Sequence, residues 1–257
     1  MTLSLSQVFE KVNAQADPTV GYVFDDPIHY VVLNNGENVF NMESIDKVEK
    51  VYDEIEKTEG AGVVVTISSQ AKFFSTGFDL EWWGNDEINV ISGIARMQSL
   101  YAKVLSLGLP SLCVVNGHAY GAGFILALCH DNRIMRNDKA KVCLPEINLA
   151  GNLVISYSGI VRDMVPNKTF RELVLGIPLK GPAAKEGDVV DHLYSGAEEC
   201  EAQVKAFAKK YAKVGAMREG IKRNKEFSYK QTMNYLRTTT MAPGEIALHL
   251  GRRLAKL

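Results

Sequence analysis

The sequence predicts an α/β fold with much parallel pairing in its first two-thirds and a helical extension after it. Three observations predict this. Short β-rich runs alternate with longer amphipathic stretches from about residue 22 to residue 144, the rhythm of α/β layering. The run Val63-Val64-Val65-Thr66-Ile67 is almost wholly β-branched, as suits a strand covered on both faces. After about Ser156 the strand signals fade, and segments rich in Lys and Glu take over. Residues 1–197 are therefore expected to form the core, and 198–257 a helical region for oligomerisation or a lid.

Taken in order, Tyr22–Phe24 and His29–Leu33 read as a hairpin around Asp25-Asp26-Pro27. From Met42 to Thr58, apolar Ile45, Val48, Val51, Tyr52 and Ile55 recur three or four apart, which makes an amphipathic helix. Gly60-Ala61-Gly62 ends it, and the Val63–Ile67 strand follows. A helix is expected from about Ser92 to Leu107, stopped by Gly108 and Pro110, then a strand over Leu112–Val115. The apolar helix Ala122–His130 and the strand Lys141–Leu144 come next. Segments 168–175, 198–214 and 215–238 read as helices. No repeat and no low-complexity linker divides the chain.

Of the 257 residues, 46% are hydrophobic and 23% charged, the balance of an ordinary globular protein. A net charge of −1 leaves no global electrostatic footprint for nucleic acid. No apolar run nears the roughly 20 residues that span a bilayer, and Met1–Asp17 lacks the layout of a secretory signal. Cys113, Cys129, Cys143 and Cys200 form no C-x-x-C pair and no metal-ligand spacing. They read as buried free thiols, as fits an intracellular compartment.

Two glycine-bearing segments carry the chemistry. Lys72–Leu80 (Lys-Phe-Phe-Ser-Thr-Gly-Phe-Asp-Leu) follows the buried strand, at the carboxyl end where α/β sheets place ligands. Gly77 permits a conformation or a close approach that other residues resist; an ordinary strand-to-helix turn capped by Ser75 or Asp79 is the simpler alternative. Asn116–Asp131 again runs from a strand through glycines into a helix. Unpaired amides at Gly121, Ala122 and Gly123 would suit an anionic oxygen. No Gly-Lys-Ser/Thr follows and the three-glycine dinucleotide spacing is absent, which disfavours a phosphate loop. A glycine-eased contact between helix and sheet stays open.

In order and spacing the two segments together resemble the enoyl-CoA hydratase/isomerase (crotonase) superfamily. That family carries an A/S-x-G-x-D-L turn and then an N-G-x-A-x-G-G-G helix start. The resemblance implies a crotonase-like ββα spiral fold with a C-terminal helical extension. It also implies an oxyanion hole made by the backbone N–H groups of Phe78 and Ala122. Ser75, Thr76, Gly77, Asp79, Gly121 and Ile125 are then expected around the substrate. Ala122 departs from the family, which usually has the middle glycine there. Lys72–Leu80 and His130–Arg136 are most similar to plant-type peroxisomal Δ3,Δ2-enoyl-CoA isomerases.

The reaction is read from carboxylates. The family's hydratases hold one glutamate three residues beyond the second amide, where this chain has Ile125, and another in a Pro-Glu pair, here Pro145-Glu146. One carboxylate can move a proton between two carbons, and an isoleucine cannot hold a water. The expected activity is therefore Δ3,Δ2-enoyl-CoA isomerisation of fatty enoyl-CoA by Glu146, in β-oxidation of unsaturated chains. A hydratase, another crotonase reaction or a non-catalytic acyl-CoA-binding homologue are the alternatives. The resemblance implies no cofactor beyond the substrate's own CoA, no metal, and a homotrimer or dimer of trimers. Trp82 and Trp83 could wall the acyl channel, and His118 and His130 read as structural. The C-terminal Ala255-Lys256-Leu257 is one substitution from a peroxisomal import tripeptide, so a peroxisomal location and its import receptor as a partner are expected.

Overall fold

The computed structural model describes residues 3–84, 86–149 and 151–238. Helix α1 (Leu5–Asn13) leads into strands β1 (Val20–Asp25) and β2 (Ile28–Leu33), the expected hairpin. Helix α2 (Met42–Lys57) buries all five of the spaced apolar residues, and Asn41 and Ser44 cap it reciprocally. Strand β3 (Val63–Ser68) is followed by the short β4 (Phe73–Ser75), α3 (Leu80–Trp83) and α4 (Glu87–Leu105). Helix α4 begins about five residues before the expected start because Asp86 accepts from the Ile88 amide and caps it there.

The pattern then recurs. Strand β5 (Ser111–Val115), β6 (His118–Tyr120) and α5 (Ala122–Leu128) form one unit. Strand β7 (Asn132–Arg136), β8 (Lys141–Cys143), a single 3-10 turn over Glu146–Leu149 and α6 (Ile155–Met164) form the next. Helix α7 (Asn167–Leu173), β9 (Leu179–Lys180), α8 (Gly181–Glu186) and β10 (His192–Tyr194) complete the sheets. Helices α9 (Ala197–Tyr211), α10 (Arg218–Ser228) and α11 (Lys230–Thr238) follow. The stretch expected as one helix over 215–238 breaks at Tyr229, where the backbone leaves helical geometry. Ala255-Lys256-Leu257 lies outside the described residues.

The strands form two sheets: six strands in the order β1-β2-β3-β5-β7-β10, and four in the order β4-β6-β8-β9. From β3 to β8 each pair of strands places one in each sheet and is followed by a helix, which is the ββα spiral. The turns at Gly77 and Gly121 therefore leave the small sheet, whereas the sequence alone places them at the end of the large one. Strand β3 is covered on both faces, as its composition requires. Val63, Val65 and Ile67 pack with Val8 and Val12 of α1 and Val204 and Phe207 of α9. Val64 packs on the opposite side with the α2 and α4 residues. Helix α1 is an element the sequence reading missed, although Leu5, Val8 and Val12 are buried at helical spacing.

All four cysteines are buried and free. His130 is structural: Nε2 lies 2.8 Å from the Thr66 hydroxyl and 3.2 Å from that of Tyr52, and Nδ1 lies 2.9 Å from the Leu126 carbonyl. This knot joins α2, β3 and the end of α5. Burial pushes the imidazole down to about 4. A histidine depressed in this way contributes stability that is complete above its ordinary value of about 6.5 and is lost as pH falls toward 4. Urea unfolding at pH 7 and pH 4.5 should show a loss in the wild type that is smaller, by up to roughly 3 kcal/mol, in His130→Gln. Equal losses in both proteins would contradict the placement of a neutral, buried imidazole.

Candidate active site

Strands β4, β6 and β8 are parallel neighbours, with Ser75 opposite Ala119 and Tyr120 opposite Cys143. Parallel neighbours end on the same side of a sheet, so the three segments that follow them emerge together. Phe78, Ala122 and Glu146 each lie two or three residues beyond their strand. Cross-links hold the segments in step. The Gly121 amide donates to the Cys143 carbonyl at 3.0 Å, tying the second segment to the third.

The first turn is pinned from outside. The Phe40 amide donates to the Gly77 carbonyl at 2.8 Å, and the Asp79 amide donates to the Phe40 carbonyl at 2.9 Å. In such a parallel bridge the neighbours of Phe78 take the hydrogen bonds. The Phe78 N–H faces away from Phe40 and, among the described residues, has no acceptor. Gly77 has φ +93°, and a Cβ there would lie 2.9 Å from the Tyr120 carbonyl oxygen and 3.2 Å from the Ala122 nitrogen. The two turns are thus in backbone contact, an approach and a conformation that only glycine permits.

The second turn opens α5. Its first amide, Ala122 N–H, also lacks an acceptor among the described residues, as the geometry of a helix start leaves it. The Ala122 carbonyl accepts from the Tyr101 hydroxyl at 2.8 Å, which anchors the helix start from α4. Helix α5 lies flush on β4: a Cβ at Gly123 would come within 2.5 Å of the Ser75 Cβ. Two N–H groups without an acceptor among the described residues, Phe78 and Ala122, thus belong to turns in backbone contact. Ala122, where the family usually has glycine, lines the adjoining cavity.

The third segment supplies Glu146. A Cβ on Gly121 would stand 3.4 Å from its Oε1, so the carboxyl reaches the second turn. Its Oε2 is buried without a hydrogen-bond partner, and burial pushes the group up to about 7. A cavity of about 140 Å³ opens over these three segments. Thr76, Phe78, Gly121, Ala122 and Glu146 line it, and Leu80, Trp83, Val90, Ile94, Leu153, Val154 and Tyr157 make most of the remaining wall apolar.

Not every expected residue reaches the cavity. Ser75 is fully buried, donates to the Asn38 carbonyl at 2.7 Å and accepts from the Gly77 amide at 3.1 Å. Asp79 accepts from the Trp82 amide and from the Asn41 side chain, so it fixes the turn. Gly77 acts through its backbone contact. Ile125 is fully buried in the core and is not among the lining residues. Trp83 borders the cavity and Trp82 does not. His118 stacks on Tyr120 with rings 5.4 Å apart. Tyr101 and Tyr157 were missed. Tyr157, Ile160 and Val161 are buried at helical spacing, a signal that would have located α6 though not the cavity.

Residues 24–240 match the enoyl-CoA hydratase/isomerase family model, and the chain belongs to that family. Among its relatives, the peroxisomal enoyl-CoA delta isomerase 1 of Arabidopsis thaliana is 31% identical over 180 residues, which is 68% of this chain and 74% of that protein. The peroxisomal enoyl-CoA delta isomerase 2 of the same plant is 28% identical over 176 residues, 65% of this chain and 73% of that protein. Solved structures share the fold. A Mycobacterium tuberculosis protein described in one structure as an enoyl-CoA isomerase and in another as a probable enoyl-CoA hydratase superposes with a TM-score of 0.76 at 18% identity, the first structure covering 90% of this chain and 97% of its own. An enoyl-CoA hydratase of Bacillus halodurans gives 0.79 at 17% identity, covering 93% of this chain and 100% of its own. Structures described as isomerase and as hydratase share this fold, so the fold does not choose the reaction.

The contact between the turns is open to test. Gly77→Ala places a methyl against the Tyr120 carbonyl and strains a positive φ. It is expected to cost about 1–2 kcal/mol of stability and to cut turnover of an acyl-CoA substrate at least tenfold. Thermal unfolding and steady-state kinetics on one preparation check both.

Proposed function

We propose that this chain is a Δ3,Δ2-enoyl-CoA isomerase acting on fatty enoyl-CoA in the β-oxidation of unsaturated chains. The observation that carries the reading is that, among the described residues, Glu146 is the one carboxylate lining a largely apolar cavity, with a buried unpaired oxygen and two amides without acceptors on the neighbouring turns. Ionised Glu146 removes a proton from C2 of a 3-enoyl thioester. The electron pair spreads over C2 to C4 and the thioester carbonyl, whose oxygen takes the charge and accepts from Phe78 N–H and Ala122 N–H. Protonated Glu146 then returns the proton to C4, which leaves the double bond between C2 and C3. No cofactor is needed beyond the CoA of the substrate, because the proton removed is the proton returned. Fixed donors count most where charge develops, and losing one typically costs about 3–4 kcal/mol of transition-state stabilisation.

The position three residues past Ala122 supports the choice of reaction. Ile125 offers no second carboxylate to hold water, and it is sealed into the core. The similarity to plant delta isomerases agrees. The peroxisomal relatives, together with the terminal Ala255-Lys256-Leu257, support import into peroxisomes through a tripeptide receptor. A homotrimer or a dimer of trimers, with residues 198–257 contributing to assembly or to a lid, is proposed on the family resemblance. Among the described residues no helix is long and apolar enough to cross a membrane.

Incubation with 3-enoyl-CoA should form the conjugated 2-enoyl thioester. Glu146 must be ionised to act, so kcat/KM should fall about tenfold per pH unit below roughly 7 and level off above it. Glu146→Gln should lower kcat by about 100- to 10,000-fold. The same substitution should stabilise the fold at pH 8. A carboxyl raised by burial favours folding below its unfolded value and opposes it as pH rises through about 7. Glu146→Gln turning over like the wild type, or rapid hydration of 2-enoyl-CoA, would contradict the proposal.

A further inference from the structure

Of five buried side-chain polar atoms that lack a hydrogen-bond partner among the described residues, three belong to residues lining the cavity: Trp83 Nε1, Glu146 Oε2 and Tyr157 Oη. Glu146 has a chemical use there. Trp83 Nε1 is pressed against α4, where a Cβ on Gly93 would stand 3.0 Å from it. The Tyr157 hydroxyl has neither explanation.

Among the described residues it has no hydrogen-bond partner. Tyr157 is 5% exposed on α6. The ring is held edge-on against Tyr101, with centroids 5.1 Å apart at 77°. The Tyr101 hydroxyl donates to the Ala122 carbonyl and Ser156 beside it accepts from Gln98, and neither oxygen bonds to Tyr157. Burial, with the Glu146 carboxylate adding to it, raises the phenol well above its ordinary range, so the hydroxyl stays a neutral donor. A buried donor without a partner is a standing cost that phenylalanine at this position would not carry. A plain hydrocarbon chain filling the cavity would remove any remaining access to water and leave that cost in place.

We propose that Tyr157 forms a hydrogen-bonding subsite for an oxygen on the acyl chain, so that the preferred substrates are hydroxy- or oxo-substituted enoyl-CoA thioesters. The thioester oxygen is assigned to Phe78 and Ala122, so the Tyr157 partner is a second oxygen further along the chain. The inference rests on the enoyl-CoA reading of the cavity and adds a substrate class to it. A site built around a donor discriminates against the analogue that lacks the acceptor, because the donor is then left unpaired.

The test is a positional series of 3-octenoyl-CoA carrying one hydroxyl at C5, C6, C7 or C8, each competed against the unsubstituted thioester. Wild type should favour one isomer at least tenfold in kcat/KM, equivalent to about 1.4 kcal/mol. In Tyr157→Phe, which keeps the ring and its edge contact, that ratio should fall to near one. Wild type with no preference for any isomer, as when the hydroxyl binds only water, would overturn the subsite. A preference that survives Tyr157→Phe would overturn it too. A calorimetric arm with the corresponding hydroxyoctanoyl-CoA series against octanoyl-CoA needs no turnover. If no 3-enoyl substrate reacts, the isomerase reading fails by itself. The subsite then stands on a hydroxyacyl binding preference that Tyr157→Phe abolishes, and falls without one.

Discussion

Parallel pairing of three very short strands positions everything the site uses. Strands β4, β6 and β8 contribute three residues each, too few to be stable alone. Lying side by side in one direction, they deliver Phe78, Ala122 and Glu146 to one edge. An antiparallel arrangement would send the middle segment to the far side. The small sheet is held by what surrounds it: Phe40 brackets the first turn, Cys143 receives the Gly121 amide, and Gly123 lets α5 close on Ser75.

That frame tolerates features a core would otherwise reject. Among the described residues, two backbone amides and one carboxylate oxygen have no partner beside a largely apolar wall. Unpaired groups of this kind each cost about 1–3 kcal/mol, and the two packed faces of the six-stranded sheet offset them. The raised value of Glu146 has the same origin. The apolar surroundings that penalise its charge also bring it near the pH at which a base works best. Away from the cavity, the Tyr52–Thr66–His130 knot is satisfied, and two buried side-chain atoms among the described residues, His118 Nδ1 and Gln203 Oε1, lack a partner. The other three of these five unpaired side-chain atoms belong to residues that line the cavity.

Much of this was legible in the residues. Helix α2 could be read because five apolar residues recur on one face over 16 positions, and β3 because its run is almost wholly β-branched. Gly77, Gly121 and the Pro145-Glu146 pair stood out because their order and spacing resemble the motifs of the crotonase superfamily, whereas each alone fits an ordinary turn. Strands β4 and β6 were invisible, since three residues cannot display a period of two. The turns were therefore drawn from the wrong sheet, although to the correct end. Helix α1 was obscured by its polar flanks. Tyr157 was missed for a different reason: an unpaired hydroxyl is a property of its neighbours, and Tyr101 lies 56 positions earlier in the chain. Ser75, Asp79 and Ile125 show the converse, since a place in a motif does not tell whether a side chain faces the ligand or the frame.

The most direct test of the account is a crystal structure of Glu146→Gln with a 3-enoyl-CoA bound. The thioester oxygen should lie about 3 Å from both the Phe78 and the Ala122 nitrogens, with the substituted amide side chain against the C2–C4 segment. A thioester bound elsewhere, or reached by only one of the two amides, would contradict it.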